Sequence, residues 1–140
     1  MPRDRSHDAL RVALFAALWF FLSVRSVRAH GDRITLKIPF AFSAGDTALP
    51  AGDYQLESLG RGITRLSGLD KEISAVFSTV EVTSPSGESA AAKLIFNRYD
   101  KDYFLSEICW GEVHSKVVPS KKERQLAKTA TPTRIVTPPR

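Results

Sequence analysis

From Ile34 the chain alternates without a fault, placing Ile34, Leu36, Ile38, Phe40 and Phe42 on one side and Thr35, Lys37, Pro39 and Ala41 on the other. A period of two suits a strand with one buried side and does not suit a helical face. Proline cannot donate to a sheet ladder, so this strand is expected to lie at an edge or to break at Pro39. Residues 43–52 are rich in Gly, Asp and Pro, and Leu49-Pro-Ala-Gly52 reads as a tight turn before a second strand over 53–59. Gly60-Arg-Gly62 reverses the chain into a short strand over 63–66, and 67–71 form the next turn. Residues 72–83 are the longest strand candidate, with Val76, Val80 and Val82 opposite Phe77, Thr79 and Glu81.

A polar loop over 84–89 precedes two strands, 93–99 and 103–110, around a charged hairpin tip at Asp100-Lys-Asp102. Both carry apolar groups on each face, Leu94 and Phe96 against Ile95, then Phe104, Ile108 and Trp110 against Tyr103, Leu105 and Cys109. Such strands must be central or covered. A cover follows in sequence, because Ser120 with Glu123 three residues on forms a capping box and 121–128 are good helix formers. So short a helix needs to dock, and Leu126 is the expected anchor. The expected architecture is an all-β fold, a small antiparallel sandwich or partly closed barrel of six to seven strands with a short C-terminal helix. It comprises a β domain over 30–118, the helix over 119–128, and a basic tail over 129–140. The tail has three prolines and no period, and is expected to be disordered.

Residues 1–29 are expected to stand apart from that domain. Arg3, Arg5 and Arg11 precede the apolar run 12–24, and Val27 and Ala29 are small residues at the positions a signal peptidase reads. Cleavage between Ala29 and His30 is therefore expected. The thirteen-residue apolar run is short against the ~20 residues of a membrane-spanning helix, so no transmembrane segment should remain after cleavage. Residues 1–29 hold five basic and two acidic side chains, so without them the formal charge of +5 falls to +2. Residues 30–115 are acidic, and 116–140 carry seven basic residues against Glu123 alone. With 140 residues, 43% hydrophobic and 25% charged, the composition is that of one globular domain. Its single cysteine excludes an intramolecular disulfide and a cysteine-rich zinc site.

Motifs exclude several chemistries. Gly60-Arg-Gly62 has Arg65 where a dinucleotide loop needs its third glycine, and GxxxxGK[ST], HExxH and GxSxG are absent. Glu107 and Glu112 would suit a glycosidase pair, but unless Gly111 makes a bulge, strand alternation puts them on opposite faces, which favours two solvated side chains. Asp100 and Asp102 lack the further oxygen ligands of a calcium loop. Cys109 and His114 lie ~16 Å apart along an extended strand, too far for a thiolate pair without a sharp turn at Gly111, so Cys109 is expected to be buried and unreactive. Tyr99, Tyr103 and Trp110 are candidates for an aromatic ligand platform, although core packing is the commoner role. The basic tail suits an anionic envelope component. It lacks the interleaved aromatics of single-strand binders, and export argues against nucleic acid as a partner. Cleavage after Ala29 would also give His30 a free amine beside its imidazole, and with His114 these groups would suit copper.

Several segments resemble a family of small exported β-rich proteins common in acidobacteria and related soil bacteria. They are Ile38-Pro-Phe-Ala-Phe42, Leu49-Pro-Ala-Gly-Asp-Tyr54, Lys93-Leu-Ile-Phe-Asn-Arg-Tyr99 with Tyr103-Phe-Leu-Ser-Glu-Ile108, and Ser120-Lys-Lys-Glu-Arg-Gln-Leu-Ala127. The resemblance implies an exported β domain with a short C-terminal helix and carries over no catalytic residue. The chain departs from it in the shortened turn Tyr99-Asp-Lys-Asp102. The expected function is a non-enzymatic, exported binding or envelope-associated domain, periplasmic or extracellular, needing no cofactor. A periplasmic copper-binding or redox protein using His30 and His114 is the alternative.

Overall fold

The structure, a computed structural model, describes residues 33–83, 90–111 and 113–137. The expected export signal, the cleavage point, His30, Glu112 and the loop over 84–89 lie outside these residues. The described chain is mostly β. Its strands are β1 (Arg33–Ile38), β2 (Phe42–Ala44), β3 (Thr47–Leu49), β4 (Gly52–Gly60) and β5 (Ile63–Gly68), then β6 (Ser74–Val82), β7 (Ala90–Tyr99), β8 (Asp102–Gly111), β9 (Val113–Val117) and β10 (Thr133–Thr137). One helix, α1 (Lys121–Leu126), separates β9 from β10.

Neighbouring strands follow the order β1-β4-β5-β6-β9-β8-β7-β10, with β2 beside β8 and β3 beyond β2. All pairings are antiparallel except β2 with β8, which run parallel through Ser43 and Phe104. The sheet is therefore mixed, not closed, and has ten strands among the described residues, where six or seven antiparallel strands were expected. Three of the extra strands, β2, β3 and β9, have local causes. Pro39 does break the first alternating run, leaving β1 and β2 on either side of it. Gly45 at φ 58° turns β2 into β3, and Gly111 at φ 58° turns β8 into β9. Glycine takes this left-handed conformation without the clash a Cβ would cause.

The tenth strand corrects the expectation of a disordered tail. Thr133–Thr137 pair with β7, from Thr133 opposite Arg98 to Thr137 opposite Leu94. Four of its five residues are β-branched, and Pro132 stands just before its first residue, where it costs no ladder bond.

One apolar core takes side chains from β1 through β9, among them Leu36, Ile38, Phe42, Leu56, Leu66 and Phe96, with Ile135 of β10 packed against it. Phe96 lies edge-on to both Phe40 and Phe42, at ring separations of 5.1 and 5.4 Å. Phe40 continues the β1 alternation across the proline break and stacks on Tyr103. The two-residue turn Arg61-Gly62 has both φ values positive, 54° and 70°, the geometry that matches the twist of a hairpin. A Cβ on Gly62 would come within 2.6 Å of the Thr79 carbonyl oxygen, so glycine also permits the β4–β5 tip to sit against β6.

The pairing of β7 with β8 slips by one residue, since Ile95 faces Glu107 while Phe96 faces Leu105. Ser106 is the extra residue. The bulge reverses the facing of everything beyond it, so Leu105 and Ile108 both enter the core, whereas Phe104 and Glu107 are buried on the other face. That second face is the one needing a cover, and α1 and β10 supply contacts to it. Ser120 Oγ accepts from the Glu123 amide at 3.1 Å, half of the expected capping box. The Glu123 carboxylate does not return to the cap but accepts from Asn97 Nδ2 of β7 at 3.0 Å. The buried residue of α1 is thus Glu123, with Leu126 only half-buried.

Burial pushes the Glu123 carboxyl above its ordinary value of 4.5, against the opposing pull of the Asn97 hydrogen bond. A carboxyl whose folded-state pKa lies above that of the unfolded chain favours folding most when protonated. Stability should fall as pH rises through the interval between the two values. Glu123→Gln keeps an acceptor for Asn97 without the charge. Its melting temperature relative to the parent chain should therefore rise between about pH 4 and pH 7, as followed by circular dichroism. A difference that shrinks over this range would contradict the assignment.

Candidate functional site

The Gly111 turn brings together residues that an uninterrupted strand would keep apart. His114 lies directly across from Cys109, so the expected ~16 Å separation does not apply. The imidazole nevertheless engages another partner. His114 Nε2 donates to Glu107 Oε2 at 2.6 Å, and Arg134 Nη2 of β10 donates to the same oxygen at 2.8 Å. Glu107 is only 6% exposed, which corrects the expectation of a solvated carboxylate. The Ser106 bulge and the arrival of β10 account for its burial. A buried carboxylate needs compensating hydrogen bonds and charge, and here they come from β9, next to β8, and from β10, beyond β7. The cluster thereby ties β9 and β10 to β8.

The same surroundings quiet the thiol. Burial raises the Cys109 pKa, the nearby Glu107 charge raises it further, and Lys93 and Arg134 only partly oppose this. The protonated thiol is a poor nucleophile. For a copper site, His114 Nε2 is already committed to Glu107, which leaves Nδ1 as its remaining nitrogen. Among the described residues, no group of three or more His, Cys, Asp or Glu side chains is disposed to hold a metal ion.

The three candidate aromatics do not form one platform. Tyr99 is buried beside Phe104 on the covered second face, its hydroxyl pKa raised by burial and then by the Glu123 charge. Tyr103 faces the other way and stacks on Phe40 at 4.1 Å. Trp110 lies at the far end of β8 from both, half-buried in an open cleft.

That cleft is the continuation of the core beyond its apolar part. Inward positions run Tyr54, Leu56, Ser58 along β4 and Leu66, Thr64 along β5, and Ala75, Phe77, Thr79, Glu81 along β6. In β9, Val117 gives way to Ser115. Each row changes from apolar to hydroxyl or acid toward the same end of the sheet. There Ile108, Trp110 and Val113 supply the apolar lining, and the β4–β5 turn with Arg61 forms the rim. The cleft has a volume of about 490 Å³, counting the space it shares with solvent. The hydroxyls of Thr64 and Thr79, both on the lining and on the adjacent strands β5 and β6, lie 3.4 Å apart. Among the described residues, neither Glu81 nor Arg61 has an ion-pair partner. No motif marked this site, because its residues come from five strands. The signal present in the sequence is the polar continuation of each alternating row.

The described fold is thus a mostly β domain with one short helix and an open, mixed-polarity cleft at one end of its core. Comparison with protein-family models, curated proteins and solved structures finds no match to this chain. Among the described residues, no helix is long and apolar enough to cross a membrane.

Proposed function

We propose that this chain is an exported, non-enzymatic binding domain whose ligand occupies the cleft around Trp110. The observation that carries this is the shared change from apolar to polar inward rows at one end of the sheet, surrounding an accessible indole. Ligand sites commonly combine an apolar lining with a few placed polar groups in this way. Export rests on the plan of residues 1–29 and on the family resemblance. The protonated thiol of Cys109 and the engagement of Glu107 by His114 and Arg134 support binding over catalysis. The exposed Lys121, Arg124 and Lys128 of the α1 region favour an anionic envelope component as a neighbour.

Saturation-transfer NMR with a panel of sugars, amino acids and aromatic acids tests the site. At least one panel member should receive saturation from the full chain and lose it with Val113→Trp, which fills the cleft from a half-exposed position. Binding of no panel member, or binding indifferent to Val113→Trp in a folded variant, would overturn the proposal.

A further inference from the structure

The lining chemistry narrows the ligand class, taking the cleft to be the binding site. We infer that it holds one or two rings of a neutral or N-acetylated glycan chain. A pyranose ring presents an apolar C–H face and a belt of hydroxyls, each both donor and acceptor. An indole beside apolar side chains complements the first. Ser and Thr hydroxyls, which also donate and accept, complement the second, and Ser58, Thr79 and Ser115 all line the cleft.

The two charged groups fit the same ligand. Glu81 and Arg61 are without ion-pair partners among the described residues and lie on the lining. A carboxylate accepts from neighbouring sugar hydroxyls, and a guanidinium donates to ring or amide oxygens. One cation and one anion on the lining give no net charge to attract phosphate. A lipid tail would need an enclosed apolar channel, whereas this cleft is open and half polar. The opening also lets a polymer continue past the bound rings.

The test uses the full chain carrying Trp19→Phe, in which Trp110 is the only tryptophan. Its fluorescence is titrated with chito-, cello- and malto-oligosaccharides, and separately with anilinonaphthalene sulfonate as an apolar probe. At least one oligosaccharide should change the emission saturably. Glu81→Gln, at an exposed position, should weaken that binding about tenfold or more, the loss typical of a hydrogen bond to a charged group. If no oligosaccharide acts but the sulfonate binds and is blocked by Val113→Trp, the glycan inference falls and the cleft proposal stands. If neither probe acts, both fall.

Discussion

Deleting residues 133–140 is expected to lower the melting temperature by more than about 10 °C. Those residues carry all of β10, and their loss removes four things at once. The β7 ladder from Leu94 to Arg98 loses its outer partner, Ile135 leaves the edge of the core, and Thr137 Oγ1 no longer donates to the Leu94 carbonyl at 3.3 Å. Glu107 also loses Arg134 while staying buried with His114 alone. Removing one partner of a buried pair costs ~3–5 kcal/mol, and the exposed guanidinium here brings that down to about half once solvent screening is counted. Adding the lost strand contacts, about 2 kcal/mol or more is at stake, and each kcal/mol moves the melting temperature by ~4–8 °C in a domain of this size. Arg134→Met separates the contributions, because it keeps β10 and removes only the charge. A truncated chain that melts within about 2 °C of the parent would show that β10 adds nothing to the fold.

Phe96→Ala should cost ~3–5 kcal/mol in urea-monitored unfolding. Phe96 is fully buried, and its edge contacts join Phe40 from the proline break and Phe42 of β2 to the centre of β7. Phe42 in turn lies edge-on to Tyr54 of β4 at 5.4 Å. Truncating the ring empties a volume that rigid strands on several sides cannot close, so the cavity cost adds to the lost transfer energy. A cost below about 1 kcal/mol, ordinary for surface sites, would place the centre of the core elsewhere.

What the sequence revealed follows the range of the forces involved. The alternation from Ile34 to Phe42 and the break at Pro39 are properties of consecutive residues, and both are present. The same holds for the Asp100 hairpin and the Ser120 cap. Where the outcome depended on distant partners, local reading fell short. Thr-Arg-Ile-Val-Thr between prolines has strand composition, yet it becomes a strand only because β7 presents an edge to it. Glu107 alternates as a solvent-facing residue would, and is buried because Ser106 bulges and β10 arrives from 27 positions away. The capping box was legible in Ser120 and Glu123, but Asn97 diverts the glutamate. The cleft was the least legible of all. Trp110 stood out as an aromatic, while Ser58, Thr64, Thr79 and Ser115 gain meaning only when the register of β4, β5, β6 and β9 sets them around it.

Backbone amide NMR with ligand added tests the central claim most directly, because it reports on every strand at once. With the oligosaccharide that changes Trp110 emission, the largest shifts should fall on residues 58–64, on Thr79 and Glu81, and on Trp110, Val113 and Ser115, with the Trp110 indole N–H among them. Shifts concentrated on the Tyr99–Tyr103 hairpin, on α1, or around Glu107 and His114 would contradict the cleft as the binding site.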